Sequence, residues 1–510
     1  MPFIDLAVVA MYIAGVIWLG ARCLRRQRSI RDYFLTGRRV PWWAVAGSIV
    51  ATETSTVTLI SIPGYAFGAD LTFLQLALGY LAARVVVAVV LLPLFFRGDL
   101  LSAYQLVTSR FGTAAGRATA GLFLATRSLA DGFRLFATGL VLAAMLSMTP
   151  LAGRLGDFVP PAADPAVALL VVSIGLIALV TLLYTLLGGM LAVIWTDVIQ
   201  MVVYVGGALA AGLILLGDIP GGWHEVASRA GAAGKLRLFD FAADLSRSYT
   251  FWAGLVGGGF LTAATHGADQ MFVQRYLCSR SLADARRALI ASGFAILVQF
   301  ALFLILGLML WTYYTAHAPD ALAAITAAGE VQTDRVFPVF MATHLPAGLR
   351  GLLLAAILAA AMSTLSSSLN ASAASTLGDF YLPLSGRART ERHYLQAARW
   401  ATVGWCIVQV IVALAAIALS RSVVDEVLGI QSFTGGLILG CACLCLFRVR
   451  ETAAAPLAGM ACGGIVLIAV RLTTSVSWQW YALIGALVTV AAGMATAHAA
   501  GRAAAGRETA

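Results

Sequence analysis

The first candidate site is a hydroxyl-rich stretch that carries one carboxylate. Residues 51–58 read Ala-Thr-Glu-Thr-Ser-Thr-Val-Thr, and a Pro-Gly pair follows at 63–64. An ionisable residue such as Glu53 is costly at lipid depth and marks a functional site by default. The stretch favours a helix that opens in its middle and frees carbonyl oxygens for a cation or a substrate, with Glu53, Ser55 and Thr58 as candidate ligands. The alternative is a closely packed, unbroken helix in which Glu53 is neutral and hydrogen-bonded.

A second hydroxyl-rich stretch lies between residues 358 and 370. Because a helix turns by about 100° per residue, four of its polar side chains share one face and a fifth lies on the edge. These are Ser363, Ser366, Ser367 and Asn370, with Thr364 on the edge. Hydroxyl and carbonyl oxygens are hard ligands that suit a small hard cation. Small residues also let helices approach closely, but packing does not need so many hydroxyls, so the pattern favours ion binding.

Asp197 is the third candidate. It lies about two helical turns after the glycine pair at 188–189, in a helix whose start is expected to face the cytoplasm. At that depth its carboxylate could line an ion exit path. The alternative is a carboxylate near the helix end that pairs with an arginine of a cytoplasmic loop.

A weaker candidate group follows the three glycines at 257–259, which would allow a helix break or close packing. Its polar members are Thr262, Thr265, His266, Asp269 and Gln270. A single histidine such as His266 on an apolar helix is more often a satisfied core residue than a proton relay.

Long apolar helices must position these residues. With 60% hydrophobic and 11% charged residues, the 510-residue chain lies outside the range of soluble globular proteins. An open sheet could not satisfy its backbone in lipid, so segments that cross a hydrocarbon core of about 30 Å are expected to be helices. Strong apolar segments lie at 4–21, 73–95, 165–187, 190–216, 288–312, 348–377, 401–419 and 478–499, and weaker ones at 44–67, 118–147, 252–273, 425–447 and 455–470. Together they predict about 13 membrane spans.

The distribution of arginine predicts the orientation. Basic loops alternate with mixed-charge loops, as expected when every second loop is cytoplasmic. The basic loops lie at 22–39, 97–117, 275–287, 387–399 and 448–450, and the mixed loops at 149–164, 218–250 and 316–347. We therefore expect the N-terminus on the outer side of the cytoplasmic membrane and the C-terminus in the cytoplasm. The predicted outer loops 218–250 and 316–347 have room for short surface helices. Topology accounts for the net charge of +10 and makes nucleic-acid binding a poor interpretation.

The seven cysteines do not suggest a disulfide framework. Five fall in predicted spans, while Cys23 and Cys278 fall on the reducing side, so we expect free thiols. The closely spaced Cys441, Cys443 and Cys445 are interpreted as packing residues, because the middle one points away from its neighbours on a helix. The segment after residue 500 is expected to be a disordered cytoplasmic tail.

Four stretches resemble the sodium:solute symporter family, whose members include sodium/glucose, sodium/proline, sialic acid, iodide and multivitamin transporters. In chain order they are 32–43, 188–200, 269–277 and 363–370. Their order and the span count extend the resemblance over nearly the whole chain. The chain is most similar to the iodide, monocarboxylate and multivitamin branch of the family in two places. These are Ser102-Ala103-Tyr104 before Arg110-Phe111, and the stretch 192–197.

The resemblance implies one all-α transporter domain over 1–510, with a leucine-transporter-like fold. Its two inverted five-helix repeats would span 44–217 and 252–447, preceded by a first span and basic loop at 1–43 and followed by two peripheral spans at 454–499 and the tail at 500–510. Such repeats place binding sites at the bilayer midplane, where broken helices meet. The implied function is sodium-coupled symport of a small solute by alternating access, with sodium as the coupling ion, no other cofactor, no nucleic acid and no obligate protein partner. The resemblance does not imply an enzyme.

The resemblance also implies ligands for sodium. The main site would use the backbone carbonyls of Ala51, Thr54 and Ala360 and the hydroxyls of Ser363 and Thr364. Some members hold an additional sodium deeper in the membrane, and the matching positions are Asp197, Ser366 and Ser367. Glu53 stands where the proline transporter has an aspartate and sugar transporters have a neutral residue, which argues against a glucose-type site.

Three other functions remain open. A proton could be the coupling ion, carried by Glu53, Asp197 or His266, although the hydroxyl stripe disfavours it. A membrane sensor could use the same scaffold, but no signalling domain is evident before Ala510. An intramembrane enzyme finds no support in a metal-ligand spacing or a nucleophile with its base. The solute is left as an organic anion or another small polar metabolite.

Overall fold

The computed structural model describes residues 3–24, 27–98, 100–147, 164–327, 329–385, 389–417 and 423–508. Its α-helices are α1 Phe3–Leu24, α2 Ile30–Leu35, α3 Trp42–Glu53, α4 Thr56–Gly68, α5 Gln75–Val86, α6 Leu92–Phe95, α7 Gln105–Phe111, α8 Thr113–Ser147, α9 Pro165–Asp218, α10 Gly222–Ala232, α11 Gly258–Ala268, α12 Gln270–Leu277, α13 Leu282–Ala316, α14 Pro319–Ala324, α15 Thr333–His344, α16 Leu349–Ser375, α17 Leu382–Leu384, α18 Glu391–Ala416, α19 Val423–Leu444, α20 Ala454–Thr473 and α21 Tyr481–Glu508. Short turns join some of these helices. The π-helical turns are Val87–Leu91, Ala253–Gly257 and Thr376–Tyr381, and the 3₁₀ turns are Thr36–Arg38, Thr72–Leu74 and Trp478–Trp480. The strands β1 Thr326–Ala327 and β2 Glu330–Val331 pair antiparallel, with Thr326 opposite Val331.

The described helices form a polytopic membrane protein. Eight of them are long and apolar enough to cross a membrane, or nine when α3 and α4 count as one bent span. The longest, α9, has 54 residues and is interrupted at Gly189, whose backbone has φ 55° and ψ −156°. This glycine separates the two spans that the sequence predicts at 165–187 and 190–216. The total of about 13 spans stays a prediction.

The second span opens where its hydroxyl run predicts an interruption. α3 ends at Glu53, and Thr54 is extended with φ −87° and ψ 93°. Ser55 then caps α4, because its hydroxyl accepts a hydrogen bond of 3.3 Å from the backbone N of Thr58. The axes of the two halves differ by 60°. The opened backbone therefore lies between two short helices at the centre of the bundle.

The seventh span is also interrupted, but at a different residue from the glycine run. Asp269 is extended between α11 and α12, and its carboxylate caps α12 by accepting a hydrogen bond of 2.8 Å from the backbone N of Met271. The glycine-rich segment before it serves close packing instead. A Cβ atom added to Gly79 of α5 would lie 2.1 Å from the carbonyl oxygen of Gly254.

The loops 218–250 and 316–347 contain short helices, as the sequence predicts. α10 lies in the loop 218–250, and α14 and α15 lie in the loop 316–347. The prediction of a disordered tail is wrong, because α21 continues to Glu508. Alanine, arginine and glutamate are strong helix formers, so the end of the chain extends the last span.

Candidate functional site

A cavity of about 390 Å³ lies beside the interruption of the second span. One wall carries Glu53, Ser55 and Thr58 from that span, and Thr265 of α11 adds a further hydroxyl. Arg134 of α8 and Gln431 of α19 also line it. Aromatic side chains form much of the remaining surface: Tyr65, Phe73, Tyr80, Tyr249, Phe272, Phe300 and Trp478. Apolar walls with a few polar groups are typical of a small-molecule site.

Glu53 faces this cavity with a buried arginine behind it. Nη2 of Arg84 forms an ion pair with Oε2 of Glu53 and lies 3.0 Å from Nε2 of His266. Nη1 of Arg84 donates a hydrogen bond of 3.0 Å to Oγ of Ser292, and Nδ1 of His266 lies 2.7 Å from the hydroxyl of Tyr276. The cluster therefore joins α3, α5, α11, α12 and α13. Its guanidinium, rather than a proton, supplies the positive charge next to Glu53.

Asp197 is buried in α9 among hydroxyl groups. Its Oδ2 accepts hydrogen bonds of 2.5 Å from Ser48 and 3.3 Å from Thr52. Its Oδ1 accepts a hydrogen bond of 2.6 Å from Ser363. Ser367 lies close by, since its hydroxyl is 3.2 Å from that of Thr52. The structure thus brings Asp197, Ser363 and Ser367 together.

Arg275 completes the Asp197 cluster. Its Nη2 lies 3.0 Å from Oδ2 of Asp197 and donates to the hydroxyls of Thr52 and Ser367. Asp197 therefore pairs with an arginine, as one of the two sequence interpretations expects. The prediction that this arginine belongs to a cytoplasmic loop is wrong. Arg275 belongs to the buried helix α12 rather than to a cytoplasmic loop at 275–287. Its side chain is not exposed to solvent.

The residues implied for the main sodium site lie where the opened α3 meets α16. The Thr364 hydroxyl is 3.3 Å from the carbonyl oxygen of Thr52 and 3.4 Å from that of Ala360. Ala51 and Thr54 are fully buried at the end of α3. Ser363, one residue before Thr364, directs its hydroxyl to Asp197. One hydroxyl and two backbone carbonyls therefore lie close together next to the interruption, and such oxygens are the ligands that a small hard cation prefers.

Several candidates lie outside the lining of the cavity. Gln270 accepts a hydrogen bond of 2.7 Å from the backbone N of Ala103, and Asn370 accepts one of 2.7 Å from Gln274. Ser366 donates a hydrogen bond of 3.1 Å to the carbonyl of Ser363, and Thr262 is buried in α11. The Asn370 contact connects α16 with α12, and none of these four side chains lines the cavity.

The sequence analysis missed the charged residues of α8. Nη1 of Arg134 lies 3.0 Å from Oδ1 of Asp131, and Nη2 donates a hydrogen bond of 2.9 Å to Oε1 of Gln431. Arg127 lies 3.4 Å from the same Asp131 oxygen and also forms an ion pair with Asp269. The spacing of 127, 131 and 134 puts all three on one helix face. The rule that singles out Glu53 and Asp197, an ionisable residue inside a predicted span, would have found them at 118–147.

Interrupted helices and a central cavity with a few polar groups are typical of a secondary transporter with a leucine-transporter-like fold. Residues 33–152 and 166–463 match the model of the sodium:solute symporter family, and the chain belongs to that family. It is therefore a sodium-coupled solute transporter and not an enzyme.

Relatives support this assignment over most of the chain. The sodium/sialic acid symporter SiaT of Proteus mirabilis is 31% identical over 97% of this chain and 95% of its own. The human sodium/iodide cotransporter is 31% identical over 74% of this chain and 55% of its own length. The mouse sodium-coupled monocarboxylate transporter 2 is 29% identical over 82% of this chain and 63% of its own length.

Solved structures agree on the fold. A substrate-bound, outward-open Na⁺-coupled sialic acid symporter superposes with a TM-score of 0.84 at 29% identity, covering 97% of this chain and 98% of that one. A closed nucleobase-cation-symport-1 family transporter shares the fold at a TM-score of 0.52 and 12% identity, covering 92% of this chain and 94% of that one.

Proposed function

We propose that the protein couples inward movement of sodium to uptake of a small organic anion across the cytoplasmic membrane. The observation that carries the anion proposal is Arg134, a guanidinium in the wall of the central cavity. It faces the hydroxyl-bearing end of α3 and the start of α4, where Ser55 and Thr58 are available to a polar solute. A guanidinium binds a carboxylate through paired hydrogen bonds, so the solute is expected to present its anionic group to Arg134.

The charges next to Arg134 support an anion, while Asp334, which also lines the cavity, accepts a hydrogen bond from Ser61. Glu53 is neutralised by Arg84, and Asp131 is shared by Arg127 and Arg134. Arg134 is therefore the cationic group through which the cavity wall can meet a solute. The relatives described above support an anion as well, because sialic acid, iodide and monocarboxylates are all anions.

Sodium is proposed to bind at the end of α3, with the carbonyls of Ala51, Thr54 and Ala360 and the hydroxyls of Ser363 and Thr364. A deeper ion could use Asp197, Ser366 and Ser367, where Arg275 is the cation in this conformation. One sodium ion moving down about 100 mV contributes about 2.3 kcal/mol, and a tenfold gradient adds about 1.4 kcal/mol. Together these terms support accumulation of several hundredfold.

The cavity mouth supports an outward-facing conformation. Ser248, Thr333 and Asp334 line it, and they belong to or border loops predicted on the outer side. An N-terminus outside and a C-terminus inside would therefore open the cavity to the exterior. In a background without reactive native cysteines, an impermeant thiol reagent applied to intact cells should label Ser246→Cys and spare Arg389→Cys. The reverse labelling would contradict this orientation.

Uptake into proteoliposomes tests the function. The probes are N-acetylneuraminic acid, lactate, pyruvate, iodide, glucose and proline, each with an inward gradient of sodium, of protons, or of neither. We expect sodium-driven uptake of at least one organic anion, lost in Arg134→Gln and retained in the exposed control Arg229→Gln. Uptake of glucose or proline alone would contradict the anion proposal, and uptake driven by protons without sodium would contradict sodium coupling.

A further inference from the structure

Asp131 lies between the arginine of the central cavity and the proposed sodium ligands. Its side chain is buried, and its Oδ1 lies 3.0 Å from Arg134 and 3.4 Å from Arg127. Its Oδ2 is buried as well but accepts no hydrogen bond from the described residues. A buried carboxylate oxygen without a donor is unfavourable. The Oδ2 atom therefore has the chemistry to bind a further positive charge.

A small cavity adjoins this carboxylate. It measures about 10 Å³, and its polar lining comes from Asp131, Arg134, Ser55, Thr56, Thr138 and Thr364. This volume is about that of a single water-sized sphere, so it fits one water molecule or one small cation. Thr364 is a proposed sodium ligand, and Ser55 caps α4 directly after the interruption. Asp131 and several hydroxyl-bearing residues thus border a space of the size of one ion, and carboxylate and hydroxyl oxygens are hard ligands.

We propose that sodium bound at Thr364 also binds Asp131 and thereby loosens the ion pair between Asp131 and Arg134. Arg134 is then free to bind the anionic group of the solute. In this exchange Asp131 gives up its contact with the guanidinium of Arg134 and binds sodium. Arg134 gives up its contact with Asp131 and binds the solute. The inference rests on the proposed function, since it explains how sodium and an anion would be coupled in that cavity.

The charge balance favours the exchange. In this cluster two arginines, Arg127 and Arg134, face two carboxylates, Asp131 and Asp269. A solute anion alone would add an uncompensated negative charge to a buried site, and sodium alone would add a positive one. Both ligands together keep the cluster neutral. Each ligand therefore raises the affinity for the other, and this linkage must be reciprocal.

The test is a sodium titration of the purified full-length protein without any solute. Thermal stabilisation is measured while choline chloride is replaced by sodium chloride at constant ionic strength. We expect Asp131→Asn to raise the half-maximal sodium concentration at least tenfold. Arg134→Gln is expected to lower it severalfold, because Asp131 loses a competing cation. The matched controls Asp284→Asn and Arg287→Gln alter a pair at the exposed start of α13 and should leave it unchanged.

The two variants are expected to change the half-maximal sodium concentration in opposite directions. This distinguishes exchange from a structural role, since loss of a purely structural pair would not increase sodium affinity. An unchanged or higher half-maximal sodium concentration in Arg134→Gln overturns the inference, and this result decides even where Asp131→Asn does not fold. Unaltered sodium dependence in folded Asp131→Asn also overturns it. A failure of the proposed function gives a different result, because Thr364→Ala would then leave the sodium titration unchanged or no anion would be taken up.

Discussion

Asp197 of α9 and Arg275 of α12 form an ion pair of 3.0 Å in which neither side chain is exposed to solvent. The pair connects the two predicted repeats, 44–217 and 252–447. The family resemblance makes Asp197 a ligand for an additional sodium ion, yet here a guanidinium supplies the positive charge. A sodium ion at this position would have to share Asp197 with Arg275 or displace Arg275. The strength of this ion pair therefore lowers the affinity of the position for sodium.

We expect Asp197→Asn to destabilise the protein by about 3–5 kcal/mol, because it leaves the guanidinium of Arg275 buried without a counter-charge. The double variant Asp197→Asn, Arg275→Gln should recover much of that loss. Apparent melting temperatures in detergent measure both. Asp284→Asn, in the long pair of 3.8 Å with the exposed Arg287, is the control and should change stability by less than about 1 kcal/mol. A double variant no more stable than the single one would show that the two residues do not act as a pair.

Thr364 offers the cleanest test of the main sodium site, because its hydroxyl lies next to the carbonyls of Thr52 and Ala360, whereas Ser363 donates to Asp197. We expect Thr364→Ala to raise the sodium concentration for half-maximal uptake about tenfold or more, as loss of a ligand worth about 1.4 kcal/mol would. Ser372→Ala is the control. Its hydroxyl is buried on the same helix and has no hydrogen-bond partner among the described residues. Equal shifts in both variants would mean that Thr364 acts through packing.

The sequence leaves open that Glu53 carries a coupling proton, and such a proton would compete with sodium at its carboxylate. The structure supplies a different partner, since Arg84 holds this carboxylate next to His266. We expect Glu53→Gln to lower uptake at least tenfold by leaving Arg84 unpaired, and Glu53→Gln combined with Arg84→Gln to restore part of it. Uptake is measured at several sodium concentrations between about pH 5.5 and 8.5, where perturbed carboxylates titrate. A double variant as defective as Glu53→Gln, with reduced sodium affinity in both, would favour competition at Glu53.

Features that depend on local sequence could be predicted. Apolar runs near 20 residues identify membrane helices because lipid is their solvent. The hydroxyl run after Ala51 predicts the interruption of the second span, since hydroxyl side chains compete with helical hydrogen bonds. The glycines at 257–259 left a break and close packing open, and the structure shows close packing, which glycine serves as readily as it serves a break. Asp269 makes the break instead, as a helix cap.

The ion pairs between helices could not be predicted, because each joins residues far apart in the chain. Arg84, Arg127 and Arg275 meet their partners on other helices only once several helices have packed, and one sequence does not say which way a helix faces. Arg275 resembles a loop residue in the sequence because α12 has only eight residues and little apolar character. The charged positions of α8 are nevertheless recognisable in the sequence as ionisable residues inside a predicted span.

Gly189 provides a test of the backbone that separates the two halves of α9. Its φ of 55° and ψ of −156° lie close to a region that only glycine occupies readily. A Cβ there would also lie 2.7 Å from the carbonyl oxygen of Tyr33. We expect Gly189→Ala to destabilise the protein by at least about 1–3 kcal/mol from backbone strain. Gly206→Ala, on the same helix with no atom within 4 Å of its added Cβ, is expected to be neutral or stabilising by up to about 1 kcal/mol. Melting temperatures of the two variants decide the matter, since a Gly189→Ala protein as stable as Gly206→Ala would mean that α9 can pass through residue 189 without this turn.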